Sequence, residues 1–413
     1  MITRRDAARL VAAGAAAAVL APSGPALAQG AAKTVKVGID LSLTGADADS
    51  AERILHGAQM AFDQANAKHE IPGYQIQVLT YDDGTATAGQ YDPAQAATNA
   101  RKMVGEGVVA AVGPMMSGAG KAMAPILSQG DLATITPAST NPDITNPKFA
   151  AQYKPEGKAI YFRTVTTDAY QGPELANYFA EKLGVKTVYI LDDSGAYGVG
   201  VADEFEKEAK KKGIKVLGRD RLDPKAADYS AVLTKIKSMH PDALYYGGVA
   251  QAGVKLAKQA YDIIPNVIKG GGDGVYSVEM LKGVGYPANQ GWYATIASPH
   301  TTEDADAAAW VKAYSDKYHT QPDDYAITAY DAALVIVDSI KRVVAAGKPV
   351  NKSTVRDAIQ DAHVKTLQGT VSFDQNGDLK DRTISIFQIK QDKNFPADDI
   401  LHQYRYVGVA PQA

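Results

Sequence analysis

Two segments of the chain carry the small hydroxyl residues and glycines that suit capture of an anion. Val109-Ala110-Ala111-Val112-Gly113 runs into Pro114-Met115-Met116-Ser117-Gly118, so a strand should end in a turn that offers a hydroxyl and backbone amides before a helix. A carboxylate is stabilised at such a helix start by amides without intrahelical partners and by the helix dipole. Ala133-Thr134-Ile135-Thr136-Pro137-Ala138-Ser139-Thr140-Asn141-Pro142 repeats the arrangement. Ligands of open α/β sheets bind at the carboxyl ends of strands. Serine and threonine there also cap turns, which leaves either segment alone ambiguous; the two together favour a site.

No catalytic constellation accompanies them. The seven histidines, His56, His69, His240, His300, His319, His363 and His402, are dispersed without metal-ligand spacing. Gly270-Gly271-Gly272-Asp273-Gly274 lacks the ending of a phosphate-binding loop and reads as a strand-end turn. Asp374, Asn376 and Asp378 resemble a calcium loop only superficially, because the glycine lies between the last two and no glutamate follows at the required distance. The residues therefore point to a protein that binds without catalysis, with no catalytic residue, metal or cofactor. A hydrolase or dehydrogenase on a doubly wound fold is the reading from another class, and the missing constellation argues against it.

The elements that must position these segments alternate along the chain. Val35, Val37, Ile39 and Leu41 recur every second residue, as in a strand, and Ile54, Ala58, Ala61, Phe62 and Ala65 form one helical stripe. Asp92-Pro93 predicts a helix start, and strands are expected at 74–80 and 108–112. The pattern restarts after Arg163 with a helix at 173–183, strands at 187–191, 214–218 and 243–246, and helices at 199–212 and 230–239. Helices at 304–319, 324–344 and 353–362 precede strands at 369–373 and 384–389 joined through an Asn376-Gly377 hairpin turn. The run Glu204, Glu206, Lys207, Glu208, Lys210, Lys211, Lys212 mixes signs and reads as a solvated helix face. The fold class is α/β: two Rossmann-like halves with parallel sheets covered by helices.

With 413 residues, 46% hydrophobic and 22% charged, the chain has the size of two domains, and a net charge of −3 offers no field for nucleic acid. Arg4 and Arg5, an apolar run from Leu10 to Leu20, and Ala26-Leu27-Ala28 read in order as a secretory signal over 1–28. Its apolar run is shorter than the ~20 residues of a spanning helix. The paired arginines leave twin-arginine and ordinary export both open. Without cysteines there is no disulfide and no lipid-anchored cysteine, so the expected location is a Gram-negative periplasm.

By the order and spacing of its motifs, the chain resembles the leucine/isoleucine/valine-binding family of type I periplasmic binding proteins, which feed ABC transporters. The markers are Leu43-Thr44-Gly45 with Gly57-Ala58, Tyr81-Asp82-Asp83, Gly113 to Ser117, Thr136 to Pro142, Phe162-Arg163-Thr164 with Asp168 and Gln171-Gly172-Pro173. Asp192-Asp193 to Tyr197-Gly198, Tyr245-Tyr246-Gly247-Gly248 and Gly377-Asp378-Leu379-Lys380 complete them. The resemblance implies three crossovers, near Thr167, Ala297 and Val371, between a lobe of residues 33–167 plus 297–370 and one of 168–296 plus 371–413. A cleft between them would close by hinge rotation. It implies a ligand carboxylate at Ser117, Ala138 and Thr140, an ammonium at Asp273 and an aromatic wall at Tyr197. Asp168 is a second acidic contact or a helix cap, and Tyr325 a cleft residue or a core one. Ser50 and Val249 stand where the family often has aromatic residues, and Thr85 and Met116 where it often has a disulfide. The implied ligand is an amino acid or related small carboxylate, with an aromatic acid, amide or urea-like solute as the alternative. The implied partner is an ABC permease in the inner membrane, with a sensory role as the other use of the scaffold, and the protein is expected to be a monomer.

Overall fold

A computed structural model describes residues 32–413; the expected secretory signal over 1–28 lies outside the described residues. The chain begins with strand β1 (Lys33–Leu41), helix α1 (Ala48–Ala67), β2 (Tyr74–Asp82) and the two-residue strands β3 (Gly84–Thr85) and β4 (Gln90–Tyr91). It continues through α2 (Pro93–Gly105), β5 (Ala110–Val112), α3 (Ser117–Gln129), β6 (Ala133–Thr136), the single turn α4 (Ala150–Tyr153) and β7 (Tyr161–Arg163). Five of these strands form a parallel sheet in the order β2-β1-β5-β6-β7. The order reverses beside β1, the place where crossover helices on opposite faces leave a crevice at the carboxyl ends. Val35, Val37, Ile39 and Leu41 are buried as the alternation predicts. Asp92 accepts from the amides of Ala94 and Gln95 with Pro93 at the first helical position, which fixes where α2 starts.

The second half comprises α5 (Asp168–Glu181), β8 (Thr187–Asp192), α6 (Ala196–Lys211), β9 (Lys215–Arg221), α7 (Ser230–Met239), β10 (Ala243–Gly247), α8 (Ala250–Ile263), β11 (Ile268–Gly271), α9 (Val278–Val284) and β12 (Tyr293–Ile296). The chain then forms α10 (Ala308–Tyr318), α11 (Asp324–Ala345) and α12 (Lys352–Gln360), and α11 packs on α1 and against β5 and β6 of the first sheet. A hairpin of β13 (Val364–Thr366) and β14 (Gly369–Val371) precedes β15 (Ser385–Ile389), the turn α13 (Ile400–Gln403) and β16 (Tyr404–Val409). The second sheet runs β16-β15-β12-β11-β10-β8-β9, with β15 and β16 antiparallel at one edge.

Three differences from the sequence-based expectations have local causes. Helix α5 begins at Asp168 and carries Pro173 inside it, where the proline suggested a start. Residues 301–307 form turns, with the Asp304 amide donating to the Thr301 carbonyl, so α10 starts only at Ala308. The Asn376-Gly377 turn exists, with Gly377 at φ +99°, yet it closes only the Phe373–Leu379 bridge. Its flanking strands pair elsewhere, β14 with β13 and β15 with β12. The turn rests on β7: the Arg163 amide donates to the Gly377 carbonyl, and Phe373 packs on Phe162. The charged run on α6 faces outward in pairs such as Lys210–Glu206, except for Glu208, which is buried and reached from the surface by Lys211 because its position falls on the inner side of the helix. No helix among the described residues is long and apolar enough to cross a membrane.

Candidate functional site

Between the carboxyl ends of the two sheets lies a cavity of about 470 Å³, part of it continuous with solvent. Ser50, Ser117, Ala138, Tyr197, Val249, Asp273 and Tyr325 all line it, and Thr140 and Asp168 stand behind this wall. The first wall is built by the two hydroxyl-bearing segments. After β5 the chain turns at Gly113, whose φ of +114° and close approach to the Asp40 carbonyl leave no room for a side chain. Ser117 is thereby the first residue of α3, and its hydroxyl accepts from the Asn141 amide at 3.2 Å and the Ser139 hydroxyl at 3.3 Å. After β6, the Thr136 hydroxyl donates to the Pro114 carbonyl and accepts from the amides of Ala138 and Ser139, so the two segments lock together. Arg163, wholly buried, donates to the carbonyls of Ser139 and Asn141 and pairs with Asp378 at 2.8 Å, bracing the loop from behind.

The opposite wall carries carboxyls. Asp273 follows β11 in a 3₁₀ turn, receives a hydrogen bond from Gln171 Nε2 at 2.9 Å, and is bonded by the Tyr325 hydroxyl from α11. Its amide donates to Gln171 Oε1, and the Tyr197 hydroxyl accepts from the Gly274 amide at 2.9 Å. Asp168 shares the same Gln171 amide at 2.9 Å, and its own amide donates to the Thr140 carbonyl. Burial, then the neighbouring Asp273, pushes the Asp168 carboxyl up to about 8; burial raises Asp273 against the hydrogen bonds of Tyr197, Tyr325 and Gln171. Asp168 Oδ2 has no hydrogen-bond partner among the described residues. Thr140 Oγ1 also lacks one of normal geometry, although it lies close enough to Asp168 to oppose the rise. Asp168 opens α5 but bonds no free helix amide there, so it serves the carboxyl cluster.

At the far end, α1 delivers Asp47 and Ser50. Asp82 at the end of β2 accepts from the amides of Leu43 and Thr44 and from the Thr44 hydroxyl at 2.6 Å, pinning the loop that aims them. The Ser50 amide and hydroxyl both donate to Glu279 of α9, at 2.7 and 2.6 Å, and Asp49 pairs with Lys282 at 2.7 Å. With Asn141 Nδ2 on the Ala196 carbonyl and Gln251 Nε2 on that of Ala88, these contacts hold the cleft closed.

Met115 and Met116 of the first hydroxyl-bearing segment and Gly274 of the glycine run also line the cavity, as do Asp47, Tyr276 and Ser277, which carry no signal that the sequence alone reveals. Asp47 looks like an ordinary residue before a helix, and Tyr276 and Ser277 belong to no periodic pattern. No lysine, arginine or histidine lines the cavity, and no cluster fit for a metal occurs among the described residues. The arrangement presents amides and hydroxyls on one wall and carboxyls without a cationic partner on the other, which suits a small molecule with an anionic and a cationic end.

Comparison with known proteins agrees with this architecture. The sequence model of the family described as periplasmic binding protein matches residues 34–394. A Leu/Ile/Val-binding protein of Rhizobium johnstonii is 31% identical over 365 residues, 88% of this chain and 94% of that protein. The crystal structure of a leucine-binding protein of Thermotoga maritima superposes with a TM-score of 0.77 at 24% identity, covering 91% of this chain and 98% of that one. The branched-chain amino acid transporter substrate-binding protein of Streptococcus pneumoniae, solved with isoleucine, gives 0.76 at 25% identity, covering 91% and 100%. Sequence match, bilobed α/β fold and interlobe cavity together place the chain in the periplasmic binding protein family, in its type I, leucine/isoleucine/valine-binding branch.

Proposed function

We propose that the protein captures an amino acid or closely related small zwitterion in the cleft and delivers it to an ABC permease of the inner membrane, acting as an exported monomer without catalysis. The observation that carries this reading is the pair of facing walls. Ser117 and the start of α3 offer donors for a carboxylate beside Ala138, with Thr140 behind them, and Asp273, backed by Asp168, offers a buried carboxyl for an ammonium. A zwitterion meets partners at both ends as it loses water, whereas a solute with one charge would leave one wall unpaired. The Asp168 oxygen left without a partner behind Asp273 supports it, because a buried carboxyl pair with no cation is costly and an arriving ammonium offsets it.

Calorimetry against a panel of amino acids tests the reading: saturable binding of at least one is expected. Asp273→Ala should weaken that ligand by about 2–4 kcal/mol, the range for losing a charge-assisted bond or one partner of a buried charge pair. Binding of no amino acid, or an Asp273→Ala variant with unchanged affinity, overturns it.

A further inference from the structure

The carboxylate and the ammonium are common to every amino acid, whereas the far end of the cavity faces the side chain; a role for that end rests on the zwitterion reading. Asp47 precedes α1, lines the cavity and is 4% exposed. It makes no helix-capping bond, and its Oδ2 has no hydrogen-bond partner among the described residues. The donors nearest along the helix are consumed elsewhere, since both the amide and the hydroxyl of Ser50 go to Glu279.

The groups that act on Asp47 set this pole apart from the other. They are the carboxylates of Glu279 and Asp193, which repel its charge, and the Ala250 amide at the start of α8, which favours it. Asp273 instead answers to Tyr197, Tyr325 and Gln171. Asp47 has no cationic partner in any ion pair of the described residues. Met115 and Val249 supply apolar wall nearby, and Ser277 adds a hydroxyl that already accepts from the Met280 amide and keeps its proton to donate.

We propose that Asp47 is a specificity-determining residue that selects amino acids whose side chains end in an N–H donor, over purely aliphatic ones. A leucine side chain closing against Asp47 leaves a buried oxygen facing methyl groups, which costs the full desolvation of that acceptor. A terminal amide or amine bonds to it while its methylene stem packs on Met115 and Val249. The polar contact also rejects the analogue that lacks it, as sites built around a hydrogen bond do.

Calorimetry of the full chain with leucine, glutamine and lysine, before and after Asp47→Ala, tests this role. Glutamine or lysine should bind the wild-type protein at least tenfold more tightly than leucine. The glutamine and lysine arms distinguish an amide donor from a cationic one. In Asp47→Ala the preference should fall below threefold. Leucine binding the wild-type protein as tightly as both polar ligands, or a preference unmoved by Asp47→Ala, overturns the proposal and leaves the zwitterion reading standing. Binding of none of a full amino-acid panel removes the zwitterion reading itself and this proposal with it. If Asp47→Ala fails to fold by thermal melting, the wild-type ratios decide, and Asp47→Asn replaces it: lysine should lose at least tenfold there.

Discussion

Arg163 shows how a residue that never touches the cavity can govern it. The guanidinium holds the carbonyls of Ser139 and Asn141 and pairs with Asp378, and its side chain is wholly buried. Arg163→Met would keep the apolar stem but leave two buried carbonyls without their donor and Asp378 without its cation, only the Thr145 hydroxyl among the described residues still bonding its carboxylate. A loss of about 3 kcal/mol in unfolding free energy is expected by urea denaturation, with weaker ligand binding because the Ala138–Thr140 loop loses its brace. A variant as stable as wild type would show that water replaces the guanidinium. Arg163 is visible in the sequence only as part of a resemblance to a family. Nothing in Phe162-Arg163-Thr164 says that the arginine points inward, because burial of a charge depends on partners at positions 139, 141 and 378.

At the scale of elements, α1 and α9 form a latch across the cleft mouth. Glu279 of α9 accepts from the Ser50 amide in the first turn of α1, where the helix dipole favours a carboxylate, and from the Ser50 hydroxyl. The bond joins the two halves across the cleft, so its loss should appear in ligand dissociation more than in association. Glu279→Gln is expected to raise the dissociation rate about 5- to 30-fold in stopped-flow fluorescence, the equivalent of about 1–2 kcal/mol for a charge-assisted bond. An unchanged rate would mean that the latch is solvent-exchangeable and idle. The packing of α1 on α11 is separately tight, because a methyl at Gly57 would strike the Ala326 carbonyl. Apolar periodicity marks α1 and α11 as helices with one buried face. The pairing of Ser50 with a residue 229 positions later has no local signal at all.

For the whole molecule, closure brings carboxyls together with no cation among them, and pH should therefore set the balance of open and closed forms. Burial, then Glu279, pushes Asp47 up to about 8; burial and Asp273 push Asp168 up to about 8; burial pushes Asp193 up to about 6. A raised carboxyl keeps its proton in the closed, folded form at a pH where the open or unfolded chain has released it. The contribution of these carboxyls to the stability of the ligand-free closed form is accordingly greatest below about pH 4, where both forms hold the protons, and is lost progressively as pH rises from there to about 8. Small-angle scattering of ligand-free protein should give a larger radius of gyration at pH 8 than at pH 5, and a bound ammonium should remove the difference by neutralising Asp168 and Asp273. A radius independent of pH without ligand would mean that these carboxyls open to water with little cost.

Taken alone, the sequence determined what is local or periodic. Alternation made β1, a single apolar stripe made α1, Asp92-Pro93 started α2, and two strand ends carried the hydroxyls at Ser117 and Thr140. Those features depend on neighbours within a few residues, and so does the α/β class that their order implies. Tertiary structure decided which strand ends face one another. It set Tyr325 of one half on Asp273 of the other, gave the Asn376-Gly377 turn a different set of strands, and turned Asp47 from a residue before a helix into a buried acceptor on the cavity wall. The physical reason is that burial and partnership arise only when distant segments close on each other. The cost of an unpaired carboxyl, on which ligand choice turns, therefore has no expression in any stretch of sequence.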